Sequence, residues 1–283
     1  MKRLLLLLFL IINLSAGAQI YYRRSEFGFG VGGSNYFGDL NQDLIFQTSL
    51  YSGSLFYKYN FTPYIAMKLA GNYAKVHGDD QYSPNVYQKT RNLNFYSDIV
   101  EASFMFDFHF FKYRVQDYNH RFTPYVTLGL GMFWHNPYAH FDGKRYDLRP
   151  LGTEGQLYNE YADRRYKRYA FSLPIGIGFK YWLRGGTTLF MEVINRSTTT
   201  DYIDDVSTTY VGIDKFVDNN PSPYPSVSAS LQDRSVEGGY DRIGVAGKQR
   251  GISTTKDQFM TAQIGLSFRL PTYKCPSSYE SIE

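Results

Sequence analysis

The feature that most constrains the fold is a long, strict alternation of large apolar residues with small or polar ones. In residues 168–183, RYAFSLPIGIGFKYWL, every second position from Tyr169 to Tyr181 is large and apolar, and the positions between them are small or charged. A period of two is that of a β-strand, whose successive side chains point to opposite faces. Strands of soluble sheets are usually about five or six residues long. A stripe of this length with tyrosine at both ends therefore predicts a strand that faces lipid.

Seven further stretches alternate in the same way, and with residues 168–183 they predict eight strands. They are Glu26–Asn35, Tyr51–Phe61, Tyr64–Val76, Asp98–Phe111, Phe122–His135, Thr187–Arg196 and Gln258–Leu270. Because backbone amides cannot remain unpaired in hydrocarbon, strands that face lipid must close into a barrel. The sequence therefore predicts an all-β fold, an eight-stranded antiparallel transmembrane β-barrel.

Short and long connections alternate between the predicted strands. The connections are short around residues 60–63, 113–121 and 184–186, and long at 36–50, 77–97, 136–167 and 197–257. Outer-membrane barrels have short periplasmic turns and longer extracellular loops. We therefore expect an integral protein of the outer membrane of a Gram-negative bacterium, with both termini in the periplasm. The connection 197–257 is rich in Pro, Ser, Asn, Asp and Gly, which predicts a long mobile loop.

The two ends of the chain are predicted to lie outside the barrel. Residues 1–18, MKRLLLLLFLIINLSAGA, combine a charged start, a short apolar run and a small-residue cleavage site, as a secretory signal peptide does. The barrel then takes residues 19–270, and residues 271–283 form a periplasmic tail. The single cysteine, Cys275, makes no internal disulfide or multi-cysteine metal site. A net charge of +4, from 30 basic and 26 acidic residues, gives no indication of nucleic-acid binding.

Several charged residues fall on the face opposite the apolar stripe and are predicted to point into the barrel. They are Lys58, Lys68, Glu101, Asp107, His109, Lys180, Glu192 and Arg269. Eight strands leave room for side chains but little for a water channel, so we expect these groups to form a paired, hydrogen-bonded plug. The alternative is a soluble, lipocalin-like barrel or sandwich, in which the apolar set would lie inside and the charges outside.

Four motifs could carry other chemistry, and each also has a structural interpretation. Residues 28–33 match G-x-G-x-x-G, but no helix pattern follows, as a dinucleotide site requires. Glu101, Asp107 and His109 share a face with Ser103 and could serve a lipid hydrolase. His135 and His140, at the start of a long loop, could bind a metal but lack an evident third ligand. Residues 162–169, ADRRYKRY, could contact anionic lipopolysaccharide or form part of an interfacial belt. We expect no catalytic residue, cofactor, metal or small-molecule substrate.

Both ends of the mature chain carry a family resemblance. The eight-stranded layout is similar to the small OmpA-like barrels, and EFGFGVGGSNYFGDLN near the start and IGLSFRLPTYKCP near the end resemble the PorG-like proteins of the Bacteroidetes. The resemblance implies a part in type IX protein secretion, in which such a barrel anchors a periplasmic ring of PorK and PorN proteins and is not itself the pore. No catalytic motif comes with this family.

The expected partners are therefore outer-membrane lipids and periplasmic ring proteins of the PorK and PorN type. In the tail, Tyr273, Cys275 and Tyr279 are the candidate partner-binding residues, because this segment is not needed to close the barrel. Two other functions remain open at this point. One is a lipid-modifying barrel enzyme, and the other is a small pore or a structural or adhesive barrel that acts through its outer loops.

Overall fold

The computed structural model describes residues 25–42, 46–115, 117–217 and 221–270. It contains nine strands: β1 Ser25–Phe37, β2 Leu50–Asn60, β3 Ile65–Asp79, β4 Asn94–His109, β5 Phe122–Phe141, β6 Lys144–Asp147, β7 Tyr169–Arg184, β8 Thr187–Thr198 and β9 Gln258–Arg269. Eight of them form a closed antiparallel ring, because β1 pairs with β9 and β4 pairs with β5. The ninth, β6, extends the sheet beside the upper part of β5. The predicted fold, an eight-stranded antiparallel barrel of the OmpA-like type, is confirmed.

The strands keep their large apolar side chains on the outside of the barrel. Along β7, Phe171 and Ile177 are 64% and 60% exposed, whereas Ser172 and Lys180 are buried in the interior. On β5, Leu130 is 68% exposed. A soluble barrel would place these groups the other way round, since burial of apolar surface is what drives folding in water. The lipocalin-like alternative is therefore wrong, and the exterior is suited to a hydrocarbon solvent.

Glycines on the inward face allow neighbouring strands to approach closely. A Cβ atom at Gly32 would lie 1.9 Å from the carbonyl oxygen of Ala262, and one at Gly129 would lie 2.2 Å from that of Phe104. Any side chain at either position would collide with the backbone of the adjacent strand. The small residues of the alternating pattern therefore allow the wall of this narrow barrel to bend.

The connections alternate as the sequence predicts. At one end of the barrel, β2–β3, β4–β5 and β7–β8 are joined by short connections, and we call this the short-turn end. The four long connections all lie at the other end. There the strands run further than predicted, since β3 continues to Asp79, β4 starts at Asn94 and β5 continues to Phe141.

The long connections fold together into a domain that we call the cap. Its helices are Val86–Arg91, Asp214–Val217 and Pro225–Gln232, with 3-10 turns at Phe46–Thr48, Asp80–Tyr82 and Asn159–Arg164, while a further 3-10 turn, Tyr118–His120, lies at the short-turn end. The cap shares one hydrophobic core with the barrel mouth, in which Tyr36 and Phe95 pack with Leu151, Ile203 and Leu231. Among the described residues, no helix is both long and apolar enough to cross a membrane.

The prediction of a mobile loop at 197–257 is wrong for the part that the structure describes. Ile203, Val206 and Leu231 are buried in the shared core. Many of the polar residues that suggested mobility are also buried, and several of them are paired: Arg250, for example, is 2% exposed and ion-paired with Glu154. Polar composition predicts disorder only where the polar groups find no partners, and here other parts of the cap supply them.

Candidate functional site

The barrel interior contains a network of charged residues near the short-turn end, which we call the lysine network. At its centre, the carboxylate of Asp107 lies between two ammonium groups, with Oδ2 at 2.5 Å from Lys58 Nζ and 3.3 Å from Lys180 Nζ. The amino group of Lys180 is also 2.8 Å from His109 Nε2. Asp107 is 0% exposed. It is therefore the carboxylate that balances two buried cations contributed by other strands.

A second ion pair completes the lysine network. Lys68 donates to Glu192 Oε2 at 2.8 Å, and the hydroxyl of Tyr125 donates to the same oxygen at 2.8 Å. Lys58 and Lys68 also lie 5.2 Å and 5.7 Å from the ring centroid of Phe56. Strands β2, β3, β5 and β8 are thus tied together across the lumen by groups that all lie on their inward faces.

An apolar layer separates the lysine network from a second polar group nearer the cap. The layer consists of Phe56, Ala70, Met105, Phe190 and Ile194. Above it, Glu101 accepts hydrogen bonds from Arg196 Nε at 2.7 Å, from Asn72 at 2.9 Å and from the Ser172 hydroxyl at 2.6 Å. We call these four residues the arginine network.

The structure buries seven of the eight side chains that were predicted to point inward. They are Lys58, Lys68, Glu101, Asp107, His109, Lys180 and Glu192, each at most 5% exposed. Arg269, near the end of the inward face of β9, is half-buried, and its guanidinium lies 3.4 Å from the carbonyl oxygen of Val115. The sequence prediction missed Arg196 and Glu26, both buried. Both could have been predicted to point inward, because each falls on the inward face of a predicted strand.

The arrangement does not favour the hydrolase interpretation. Ser103 and His109 are six residues apart on β4, which separates them by roughly 20 Å along an extended strand. The hydroxyl of Ser103 instead accepts a hydrogen bond from Asn72 at 3.1 Å, and His109 lies against Lys180. Residues 28–33 lie within β1, so no helix follows them as a dinucleotide site would need.

The two candidate metal-binding histidines point to opposite faces of β5. His135 is buried and stacked on Tyr166, with ring centroids 6.0 Å apart, whereas His140 is exposed and packs edge-on against Tyr96 and Tyr138. The prediction that they begin a loop is wrong because β5 continues to Phe141, and residues five apart on a strand face opposite ways. Among the described residues, no group of three or more His, Cys, Asp or Glu side chains could hold a metal ion.

Buried charged groups tie the long connections of the cap to one another. Arg250 pairs with Glu154 at 3.0 Å, which ties the fourth connection to the third. Arg91 pairs with Asp80 at 2.7 Å and donates to the carbonyl oxygen of Asp39 at 2.9 Å, which ties the second connection to the first. Because each pair is almost fully removed from water, losing one partner would leave a buried charge uncompensated.

A pair of buried carboxyl groups lies where the cap meets the barrel. The hydroxyl oxygen of Tyr36 is 2.7 Å from Oδ2 of Asp204 and 2.7 Å from Oδ1 of Asp257, and it accepts from the Asp39 backbone N–H at 3.1 Å. A phenol has one proton to donate, so both short contacts are hydrogen bonds only when one carboxyl group is protonated. Burial, followed by the charge of Asp257, holds the pKa of Asp204 well above its usual range. Burial is also the main cause of the raised pKa of Asp257.

The cap should consequently lose stability as the pH rises. Burial raises the pKa of Asp205 to about 6 and that of Asp201 to about 7. The folded cap therefore keeps protons that an unfolded chain would release above about pH 4. The stabilisation is complete below that pH and is lost as the pH rises through these higher values. We expect proteolysis within residues 200–257 of the intact protein to accelerate between pH 5 and pH 8.

The substitution Asp257→Asn tests the cause of this pH dependence. An amide can accept from the Ile203 N–H, as Asp257 does at 2.8 Å, and can donate to the Tyr36 hydroxyl without a titratable proton. The variant cap should match the wild type at pH 5 and be more stable at pH 8 by about 1–2 kcal/mol. Asp241→Asn, at an exposed position of the cap, is the control and should change nothing. Equal pH dependence in the two variants would contradict the assignment.

The candidate partner-binding residues Tyr273, Cys275 and Tyr279 lie outside the described residues, as do the tail 271–283 and the predicted signal peptide 1–18.

Comparison with known sequences gives a family. The profile of a family described as Domain of unknown function (DUF6089) matches residues 1–215 of the 283. The chain belongs to this family. The DUF6089 match ends inside the fourth long connection, before β9 closes the barrel. No curated protein matches the chain.

Several solved structures are similar to this DUF6089 protein. Outer membrane protein OprG from Pseudomonas aeruginosa is 12% identical, with a TM-score of 0.41 over 89% of this chain and 98% of that one. Neisserial surface protein A is 9% identical, with a TM-score of 0.40 over 87% and 97%. Ail, the attachment invasion locus protein of Yersinia pestis, is 12% identical, with a TM-score of 0.38 over 88% and 99%. At these scores, the fold assignment depends on the strand pairing of the chain itself.

Proposed function

We propose that this protein is a non-enzymatic outer-membrane barrel that acts as an anchor and not as a pore. The observation that carries the proposal is the filled interior, in which two charged networks and an apolar layer occupy the lumen with side chains that are almost fully buried. A lumen of eight strands that is packed with paired side chains has no room for a folded protein. Function then belongs to the surfaces at the two ends of the barrel.

The orientation follows from the general architecture of such barrels. Short turns face the periplasm and long loops face the outside in outer-membrane barrels. By this rule the cap is extracellular, while the turns around Asn60, Asp117 and Gly185 and both termini are periplasmic. The exposed apolar band of the barrel wall, with Leu130 and Ile177 among its residues, supports insertion into lipid.

We further propose that the periplasmic side anchors a ring of secretion proteins of the PorK and PorN type. The support is the resemblance of the sequence to PorG-like proteins in GGSNYFGDL, residues 32–40, and in FRLPTYKCP, residues 268–276. The first of these segments runs along β1 into the cap. The second begins in the last residues of β9, which lie at the short-turn end, the end that we propose faces the periplasm.

Co-purification tests the anchor function. A tagged barrel extracted in mild detergent should recover periplasmic ring proteins, and a stop codon after Pro271 should reduce that recovery while leaving a heat-modifiable barrel in the outer membrane. Cys275→Ser asks separately whether the lone cysteine pairs with another chain. Recovery at the wild-type level by the truncated barrel would rule out the tail and direct attention to the short turns. Failure of the full-length barrel to recover any ring protein would rule out the anchor function.

The folded cap favours a second candidate function, interaction on the outside of the cell. A cap that shares a hydrophobic core with the barrel mouth and contains buried ion pairs is more ordered than loops that merely connect strands. A deletion within residues 201–256 that still gives a heat-modifiable barrel in the outer membrane should leave secretion intact if the cap serves only an outward role. Loss of secretion in that strain would instead connect the cap to the anchor function. No arrangement of the described residues favours the lipid-modifying enzyme.

A further inference from the structure

A cleft lies on the outer surface of the barrel mouth, beside the β5–β6 hairpin. Its volume is about 590 Å³, and we call it the β6 cleft. It is lined by Lys144, Arg145, Tyr146, Asp147, Pro150 and Tyr224. Among the described residues, β6 pairs only with β5, so the other edge of this strand presents backbone donors and acceptors beside the cleft.

The height of the β6 cleft matches the headgroup layer of a membrane. The lipid-facing side of β5 ends in an aromatic belt, where Trp134 is paired with the exposed Tyr169 of β7. Tyr138 lies four residues further on the same face and is paired with Asp147 of β6. Four residues of a tilted strand rise by roughly 10 Å. This places the cleft just outside the hydrocarbon, provided that the barrel spans the outer membrane as proposed above.

Basic groups gather at the mouth of the β6 cleft. The guanidinium carbon of Arg145 lies 3.5 Å from the ring centroid of Tyr138, and Lys75 Nζ lies 5.6 Å from the same centroid. The contacts of Arg145 to carboxylates are long, at 3.5 Å to Asp98 and 3.6 Å to Asp147, and its side chain is 45% exposed. Because neither of these contacts is a short ion pair, the guanidinium of Arg145 can still bind a phosphate oxygen.

The charges around the β6 cleft do not balance. The lining carries two cations, from Lys144 and Arg145, and one carboxylate, from Asp147, which leaves an excess of one positive charge. Among the described residues, no carboxylate forms an ion pair with Lys75 or Lys144. An anionic group would complete the site.

Aromatic rings form the other wall of the β6 cleft. Tyr146 and Tyr224 pack edge to face with their ring centroids 5.4 Å apart, and Tyr224 is 54% exposed. A tyrosine of this kind offers an apolar ring and a hydrogen-bonding hydroxyl, a combination that suits the C–H face and hydroxyls of a sugar. The cleft therefore combines phosphate-binding chemistry from the β5–β6 hairpin with sugar-binding chemistry from Tyr224, at the start of the helix Pro225–Gln232.

We propose that the β6 cleft binds the phosphorylated sugar headgroup of an outer-leaflet glycolipid. The phosphate contacts Arg145 and Lys144, and the sugar packs on Tyr224. The basic run ADRRYKRY, at 162–169, contributes less to this proposed lipid binding than its sequence suggests. Its Arg164 and Arg165 donate to backbone carbonyl oxygens of Glu154 and Gln156 within the cap. Binding at the β6 cleft would hold the cap against the membrane surface.

Native mass spectrometry of the detergent-solubilised, full-length barrel with bisphosphorylated lipid A tests the proposal. The double variant Lys144→Gln, Arg145→Gln should bind at least tenfold more weakly than the wild type. The matched control, Arg242→Gln with Lys248→Gln, makes the same change at exposed cap positions and should bind within twofold. Tyr224→Ala should weaken binding several-fold, whereas Tyr224→Phe, which keeps the ring, should bind like the wild type.

Three outcomes would overturn the proposal: wild-type affinity in the Lys144, Arg145 double variant, equal affinity for dephosphorylated lipid A, or displacement of lipid A by millimolar inorganic phosphate. The last would indicate a site for a soluble anion. Each variant is also checked for heat-modifiable mobility and for recovery in the outer membrane. An assembled, membrane-inserted barrel that fails to bind lipid A contradicts this inference alone, whereas failure of the wild type to insert contradicts the proposed function.

Discussion

Asp107→Ala should destabilise the barrel more than any other single substitution of a charged residue. It removes the carboxylate that lies 2.5 Å from Lys58 and 3.3 Å from Lys180 in the closed interior. Two buried cations, each at most 3% exposed, would then lack the carboxylate that they share, and breaking a buried pair in this way costs about 3–5 kcal/mol. Guanidinium unfolding of the barrel refolded into lipid vesicles measures the loss, and the temperature at which gel mobility changes gives a second readout.

Two further variants separate the charge from other effects of the Asp107 substitution. Asp107→Asn keeps the size of the side chain, so it should lose nearly as much stability if the missing charge is the cause. Asp98→Ala removes the same group from the outer face of the same strand, where it is partly exposed and 3.5 Å from Arg145, and it should cost less than about 1 kcal/mol. Wild-type unfolding of Asp107→Asn would show that the lysine network does not depend on this carboxylate.

Much of the barrel could be predicted because the features that define it repeat over short stretches of the sequence. A strand repeats every two residues, so parity alone assigns Lys58, Asp107 and Lys180 to one face and Phe171 to the other. The long and short connections follow from counting residues between stripes. Arg196 was within reach of the same argument, since it is four residues from Glu192 on the inward face of β8.

The pairing inside the barrel could not be predicted from the sequence. Lys58 and Asp107 meet across the lumen from β2 and β4, which are not neighbours in the sheet, because β3 lies between them. Which inward side chains meet depends on the strand register and on the stagger of the closed sheet, and neither is encoded in the alternation.

The prediction of a mobile loop where the cap folds was the larger error, and its reason is related. Its polar composition is typical of a mobile loop, and the sequence does not show that Arg250 finds Glu154 or that Tyr36 finds Asp204 and Asp257. These contacts join residues that are far apart in the chain. A polar residue in a long connection is therefore ambiguous until its partner is known.

Leu130→Arg distinguishes a lipid-facing wall from a water-facing one. Leu130 is 68% exposed on β5, so in water an arginine there would be close to neutral. In a bilayer, an arginine near the midplane of a barrel costs about 2–4 kcal/mol. The matched control is Val236→Arg, at a 53% exposed position in the cap, which should cost less than about 0.5 kcal/mol. Unfolding from lipid vesicles measures both variants, and assembly in the outer membrane should fall only for Leu130→Arg. If Leu130→Arg unfolds at the wild-type denaturant concentration, the apolar band does not face hydrocarbon, and the proposed location in the outer membrane is wrong.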